Sequence, residues 1–246
     1  MLVLLPPSEG KTAPAAGAPV DLAELAFAAE LTEPRQKLLA ALAGLARVPR
    51  KRAVAMLGVS PGQADEVAVD AELAGAPAAP AAEVYSGVLY DRLGLAELPA
   101  AAQEMVLISS ALWGFVRVQD RIPYYRFAMK AKLDGIGALA GFWRESLAEA
   151  LPDDEGKLIV DMRSGAYAAA WKPQRATLIA VRAFSESGGK RRPISHMAKA
   201  VRGDVARVLL TAKKAPADPE SAATLAERAG FTVELSPGYL DVINPS

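Results

Sequence analysis

A short apolar strand that runs into a loop dense with rings and cations constrains this chain more than any other feature. Met105-Val106-Leu107-Ile108 reads as the strand, and it breaks at Ser109-Ser110 within the stretch LISSALWGFVRVQDRIPYYRFAMKAK, Leu107 to Lys132. Trp113, Phe115, Tyr124, Tyr125 and Phe127 crowd there with Arg117, Asp120, Arg121, Arg126 and Lys130. The rest of the chain is alanine-rich and short of aromatics, and a polar, aromatic loop at a strand end is where α/β proteins place their sites. Cations suit phosphate, and Trp113 and Tyr125 suit base stacking, so the stretch points to a nucleic-acid or nucleotide ligand. The competing reading makes the rings core and pairs the arginines with Asp120 and Asp134.

Around that centre, residues 2–5, 157–162, 176–184 and 231–235 read as strands, with a hairpin turn at Ser187-Gly188-Gly189. Helices are expected over 21–31, 34–47, 85–93, 136–151, 194–212 and 219–229. Strands and helices mix without strict alternation, which predicts one α/β domain over residues 1–246, an irregular mixed sheet surrounded by helices. With 246 residues, 52% of them hydrophobic, the chain can bury a large core. It has no cysteine and one histidine, His196, which excludes disulfides and multi-histidine metal clusters, so no metal or cofactor is expected. The start, MLVLLPPSEGK, lacks the basic region of a signal peptide, and no segment approaches the roughly 20 apolar residues of a membrane span. The expected location is the cytoplasm, with no membrane partner.

Three further stretches bear on phosphate binding. Ser8-Glu9-Gly10-Lys11-Thr12 follows the first strand, but its first required glycine would fall at Leu5, so it is not a full P-loop. Lys11 and Thr12 at a strand end could still contact a phosphate or sugar. The segment 50–73 reads as helix, tight turn, helix, and its turn Leu57-Gly58-Val59-Ser60-Pro61-Gly62 is similar to a helix-hairpin-helix module. Such a hairpin, here with Gly58, Ser60 and Gly62, offers backbone N–H groups to a DNA phosphate without reading sequence; the alternative is an ordinary packing corner. Between residues 158 and 214, cations such as Lys172, Arg182, Arg191, Lys199 and Arg202 far outnumber Asp161, Glu186 and Asp204. The whole chain balances 28 basic against 28 acidic residues, so this division predicts a dipolar molecule with one electropositive surface.

The order of these motifs resembles the YaaA family of peroxide-stress resistance proteins. The family's Ser-Pro-Ala-Lys-Thr corresponds to Pro7-Ser8-Glu9-Gly10-Lys11-Thr12. Its Leu-Tyr-Gly-Val-Leu-Arg-Pro-Leu-Asp is similar to Leu112 through Asp120, and its Pro-Tyr-Arg-Leu-Glu-Met to Tyr124 through Met129. Its Ala-Lys-x-x-Arg-Gly is similar to Ala198 through Gly203, with Lys172-Pro173 upstream, and Gly230-Phe231 and Gly238-Tyr239 follow in order. The resemblance implies a single-domain α/β fold of unusual topology, a helix-hairpin-helix element, a positive cleft that binds DNA, and a role limiting oxidative damage linked to free iron. Ala128 and Ala166 stand where the family carries glutamates, which puts acid–base chemistry at those positions in doubt and leaves binding by Lys11, Arg117, Arg126, Lys172, Lys199 and Arg202 unaffected.

These readings converge on a DNA-binding protein of the peroxide response. It would hold phosphates through Lys11, Thr12, Gly58, Ser60, Gly62, Arg117, Arg126, Lys130, Lys172, Lys199 and Arg202, and stack bases on Trp113 and Tyr125. The alternative is an enzyme on a nucleotide or nucleobase in the same cleft, with Asp120 or Glu9 as acid or base; binding is favoured over catalysis.

Overall fold

The computed structural model describes residues 1–187, 190–194 and 197–245. The expected turn at Gly188-Gly189 and the single imidazole, His196, lie outside the described residues.

Apolar runs too short for helices become strands buried on both faces, as a parallel sheet requires. In the described residues the main sheet has strands β1 (Leu2–Leu5), β2 (Val106–Ser110), β3 (Gly114–Val116), β4 (Leu158–Asp161), β5 (Thr177–Ser187), β6 (Lys190–Pro193), β7 (Thr232–Ser236) and β8 (Tyr239–Pro245). Their order is β7-β8-β5-β4-β1-β2-β3, with β6 pairing the far end of β5. The five central strands are parallel, and Leu4 sits between Leu107 and Asp161 in register. The hairpin partners β3, β6 and β7 are antiparallel. The fold is therefore a mixed α/β domain with a mixed sheet flanked by helices.

From β1 the chain crosses to β2 on one side; from β4 it proceeds through β5 to β8 on the other. The carboxyl ends of β1 and β4 thus flank a switch point, the place where open α/β sheets bind ligands.

The helices are α1 (Ala28–Ala43), α2 (Arg50–Leu57), α3 (Glu66–Ala71), α4 (Val88–Leu93), α5 (Leu139–Ala150), α6 (Ala198–Leu210) and α7 (Pro219–Arg228), apart from single-turn segments. The two helices expected over 21–31 and 34–47 are replaced by turns and one longer helix. Asp21 caps only a local turn, accepting from the Ala23 N–H at 2.9 Å, and Phe27 takes a left-handed φ of 60° before α1 begins. Pro34 lies inside α1, where burial of Leu31, Leu38 and Leu42 outweighs the hydrogen bond that proline cannot donate. Tyr85-Ser86, expected in a helix, is a two-residue strand paired with Gly10-Lys11. The helix expected over 194–212 is shorter, and Met197, just before it, is exposed. Gly203 of α6 lies where an added Cβ would meet the Leu89 carbonyl oxygen at 2.5 Å, so α6 and α4 pack at backbone contact.

Arg35 is fully buried on α1. Its guanidinium donates to the carbonyls of Trp113 (3.1 Å), Phe115 (3.0 Å) and Ala26 (2.8 Å), tying α1 to β3. Burial lowers its proton affinity to a pKa of about 10, so it stays charged. Arg35→Ala leaves these buried acceptors without a donor and is expected to cost about 3 kcal/mol. Urea unfolding of the variant should show a lower midpoint with an unchanged slope.

Candidate functional site at the carboxyl ends of the central strands

The chain leaves β1 through Pro6-Pro7 and turns so that Gly10-Lys11 pairs with Tyr85-Ser86. This carries Lys11 onto the Tyr125 ring, with its ammonium 4.4 Å from the ring centroid and 5.7 Å from that of Tyr85. The ammonium donates to the Ser8 carbonyl at 2.7 Å and has no carboxylate within ion-pair distance among the described residues. Lys11 keeps some exposed surface, yet its pKa falls to about 8, through burial first and the Arg126 charge second, while Asp70, Glu9 and Glu66 oppose the drop.

Arg126 stands beside it. Its guanidinium donates to the Glu9 carbonyl and pairs with Glu66 at 3.3 Å, while its backbone N–H donates to Asp70 at 2.8 Å. Asp70 is buried, and its Oδ2 finds no partner among the described residues. Burial is the largest cause that raises its pKa to about 7, against the hydrogen bond from Arg126. Lys199 at the start of α6 pairs with Glu9 at 3.2 Å. Arg202 on the same helix donates to the Val181 carbonyl at 3.1 Å; burial lowers its proton affinity and the charge of Asp161 at the end of β4 raises it. Four cations from three distant parts of the chain thus gather around the switch point.

Other expected residues fall elsewhere. Because β3 runs antiparallel to β2, it returns Arg117 toward the amino end of β2, where Arg117 donates to the Glu104 carbonyl at 3.2 Å. It lines an open cleft of about 570 Å³ there with Phe27, Asp153 and Arg175. Asp120 is also structural: it accepts from the Ala26 and Arg117 N–H groups at 2.9 and 3.0 Å. Trp113 and Tyr125 are fully buried, so neither ring offers a face for base stacking, and Tyr125 holds the Lys11 ammonium instead. The Tyr125 hydroxyl is fixed by Tyr85 and Ser110, both at 2.7 Å. Thr12 continues the Lys11 strand, its N–H donating to the Val84 carbonyl. Lys172 is exposed beyond Trp171 and forms no ion pair among the described residues.

The corner between α2 and α3 does not show a helix-hairpin-helix geometry. Gly58 ends α2 with a φ of 66°, a 3₁₀ turn follows over Pro61–Gln63, and α3 is only six residues long. The Ser60 N–H and hydroxyl are both engaged by Gln63, at 3.3 and 3.0 Å. Nothing crowds Gly62, whereas the Lys130 stem packs against Gly58, 3.4 Å from where a Cβ would stand. The electropositive surface expected of the C-terminal half is also divided up: Arg163 pairs with Asp161, Arg182 with Asp241, and Arg191 with Glu186 and Glu234.

Of the carboxylates of the site, Glu9 was singled out from sequence as a candidate acid or base, whereas Glu66 and Asp70 were not. Asp70 follows Val67 by three residues and precedes Leu73 by three, all on a buried face, and an acid at that spacing was the available signal.

A family model described as peroxide stress protein YaaA matches residues 1–235. A UPF0246 protein of Streptomyces coelicolor is 44% identical over 242 residues, covering 95% of this chain and 92% of its own length. UPF0246 proteins of Corynebacterium efficiens and Corynebacterium glutamicum are 39% and 36% identical, each over 99% of this chain and 98% of their own.

A carboxyl that holds its proton more tightly in the folded chain stabilises the fold in acid and loses that contribution as pH rises from about 4 to about 7. Asp70→Asn removes this dependence while keeping an acceptor for the Arg126 N–H. Urea midpoints compared at about pH 5 and about pH 8 should therefore fall more for the wild type than for the variant. Parallel behaviour would show that Asp70 ionises as an ordinary carboxyl.

Proposed function

The chain belongs to the peroxide stress protein YaaA family, and from that premise we propose that its strand-end site holds nucleic-acid phosphates without reading sequence. The observation that carries this reading is the meeting of Lys11, Arg126 and Lys199 around Glu9 at the switch point of the sheet. A phosphate there would meet an ammonium with no ion-pair partner among the described residues and two cations whose own acids lie alongside. Glu9 and Glu66 offset much of the positive charge. The site therefore suits one phosphodiester or one nucleotide at a time better than a long duplex lying in a basic channel.

The segment from Tyr124 to Lys130 links this site to the α2–α3 corner, since Arg126 bonds Asp70 on α3 and Lys130 lies over Gly58. A backbone leaving the site along that segment would pass Lys130. With Trp113 and Tyr125 sealed in the core, recognition rests on phosphate and sugar, which is the sequence-independent mode.

Fluorescence anisotropy with short single-stranded and duplex oligonucleotides tests the proposal. Affinity should fall steeply with salt, and Arg126→Ala and Lys199→Ala should each weaken binding across sequences while reducing the salt slope by about 1. Arg117→Ala, toward the amino end of β2, should leave binding unchanged. Absent or salt-insensitive binding would remove the reading.

A further inference from the structure

We propose that Lys11 is an imine-forming amine, condensing with an aldehyde borne on a phosphate-bearing ligand, which on the phosphate-binding reading above is the ring-opened sugar of an abasic nucleotide. The geometry that points to this is an ammonium held on an aromatic face, anchored by one backbone carbonyl, with no carboxylate in ion-pair contact among the described residues. An exposed lysine has water and full charge; a structural buried lysine has a carboxylate partner. Lys11 has neither arrangement. It keeps an opening to solvent, and the cations Arg126 and Lys199 stand around the same loop to hold a phosphate.

The chemistry requires a fraction of neutral amine near neutral pH. Burial and Arg126 supply it by lowering the Lys11 pKa to about 8. The groups facing Lys11 are Ser8 and Glu9 on its own loop, Tyr85, Tyr125 and Arg126, and Glu66 and Asp70 from α3. Asp70 is too buried to touch a ligand, so it is a positioning residue. Its charge raises the proton affinity of Lys11, and its own pKa of about 7 lets that charge fade as pH falls.

The step balances without a redox partner. The Nζ lone pair adds to the aldehyde carbon, the carbonyl electron pair moves to oxygen, and that oxygen takes up a proton. The carbinolamine then loses water, leaving a protonated imine; overall one ammonium and one aldehyde give one iminium and one water. The rings around Lys11, Tyr85 and Tyr125, are buried with Trp113 and offer no face to a base, which favours a sugar phosphate that has lost its base. Oxidative loss of bases supplies such sugars.

The test uses the full-length protein, cyanoborohydride as hydride donor, and two aldehydes: an oligonucleotide with one abasic site, and free deoxyribose 5-phosphate. Peptide mass mapping locates the reduced adduct on the wild type. The expected result is labelling at Lys11, far above exposed lysines such as Lys213, with the oligonucleotide labelling faster than the free sugar phosphate. Lys11→Arg should lower total labelling by roughly tenfold or more. Asp70→Asn should shift the rise of labelling with pH, followed between about pH 6 and about pH 9, to lower pH, because a charge that favoured the ammonium is gone. Labelling at Lys11 by the sugar phosphate alone would overturn the abasic-nucleotide assignment. Labelling spread evenly over exposed lysines, or none, would overturn imine formation. Binding of an oligonucleotide with an unreactive tetrahydrofuran abasic analogue is measured in parallel. If it binds with no adduct formed, imine formation alone fails; if it does not bind, the phosphate-binding reading fails as well.

Discussion

Parallel pairing of β1 on both edges decides where everything else can go. A strand hydrogen-bonded to β4 and β2 along its length must leave the sheet at its carboxyl end, among polar groups that the sheet no longer satisfies. The molecule meets that demand locally. The Met162 N–H donates to the Leu4 carbonyl, the Ser109 hydroxyl to that of Leu5, and the Tyr90 hydroxyl to that of Pro6. Only then is the loop free to turn, and the short pairing of Gly10-Lys11 with Tyr85-Ser86 fixes where its lysine points. The location of the site is thus a consequence of topology, and its chemistry a consequence of which residues follow the strand.

Burying an ammonium beside a guanidinium is unfavourable unless something nearby answers the charge. Here the answer is distributed. The Tyr125 face contributes a cation–π contact, the Ser8 carbonyl accepts a hydrogen bond, and three acids act at a distance. Burial lowers the proton affinity of Lys11, which no single carboxylate neutralises, and raises that of Asp70, so the two approach one another near neutral pH. Opposed shifts of this kind mark sites where protons are exchanged more often than they mark structural ion pairs, which push a lysine and an acid apart. The Asp161–Arg163 pair a few residues from the site is the contrasting case: bidentate, buried and committed to holding the Trp171 carbonyl.

Much of the fold was legible because buried parallel strands are continuous apolar runs. LVLL, LIVD and the run from Thr177 could be little else. Helix limits were less legible: Asp21 and Pro34 carry signals of helix starts, but Phe27 in a left-handed conformation and the burial around Leu31 override both. Within the site, Lys11, Arg126, Lys199 and Arg202 were readable as cations near strand and helix ends. Arg117 was misplaced for a reason no local pattern contains. Three residues, Ala111 to Trp113, separate β2 from β3, and that tight return sends Arg117, after β3, toward the amino end of β2. Trp113 and Tyr125 were ambiguous in sequence because a ring beside cations looks the same whether it faces a ligand or the core.

The acids of the site show how the same ground can be served by different positions. Ala128 and Ala166, which the resemblance sets against glutamates, lie on two segments that meet, since the Met129 N–H donates to the Tyr167 hydroxyl at 3.4 Å. Carboxylates at those positions would add negative charge close to Arg126. In this chain the acids around Arg126 and Lys11 come instead from α3 and the first loop: Glu66, Asp70 and Glu9. Asp70 is buried and has its proton affinity raised, so near neutral pH it contributes only part of a charge. That balance suits a site that must attract a phosphate and still keep one amine able to lose its proton.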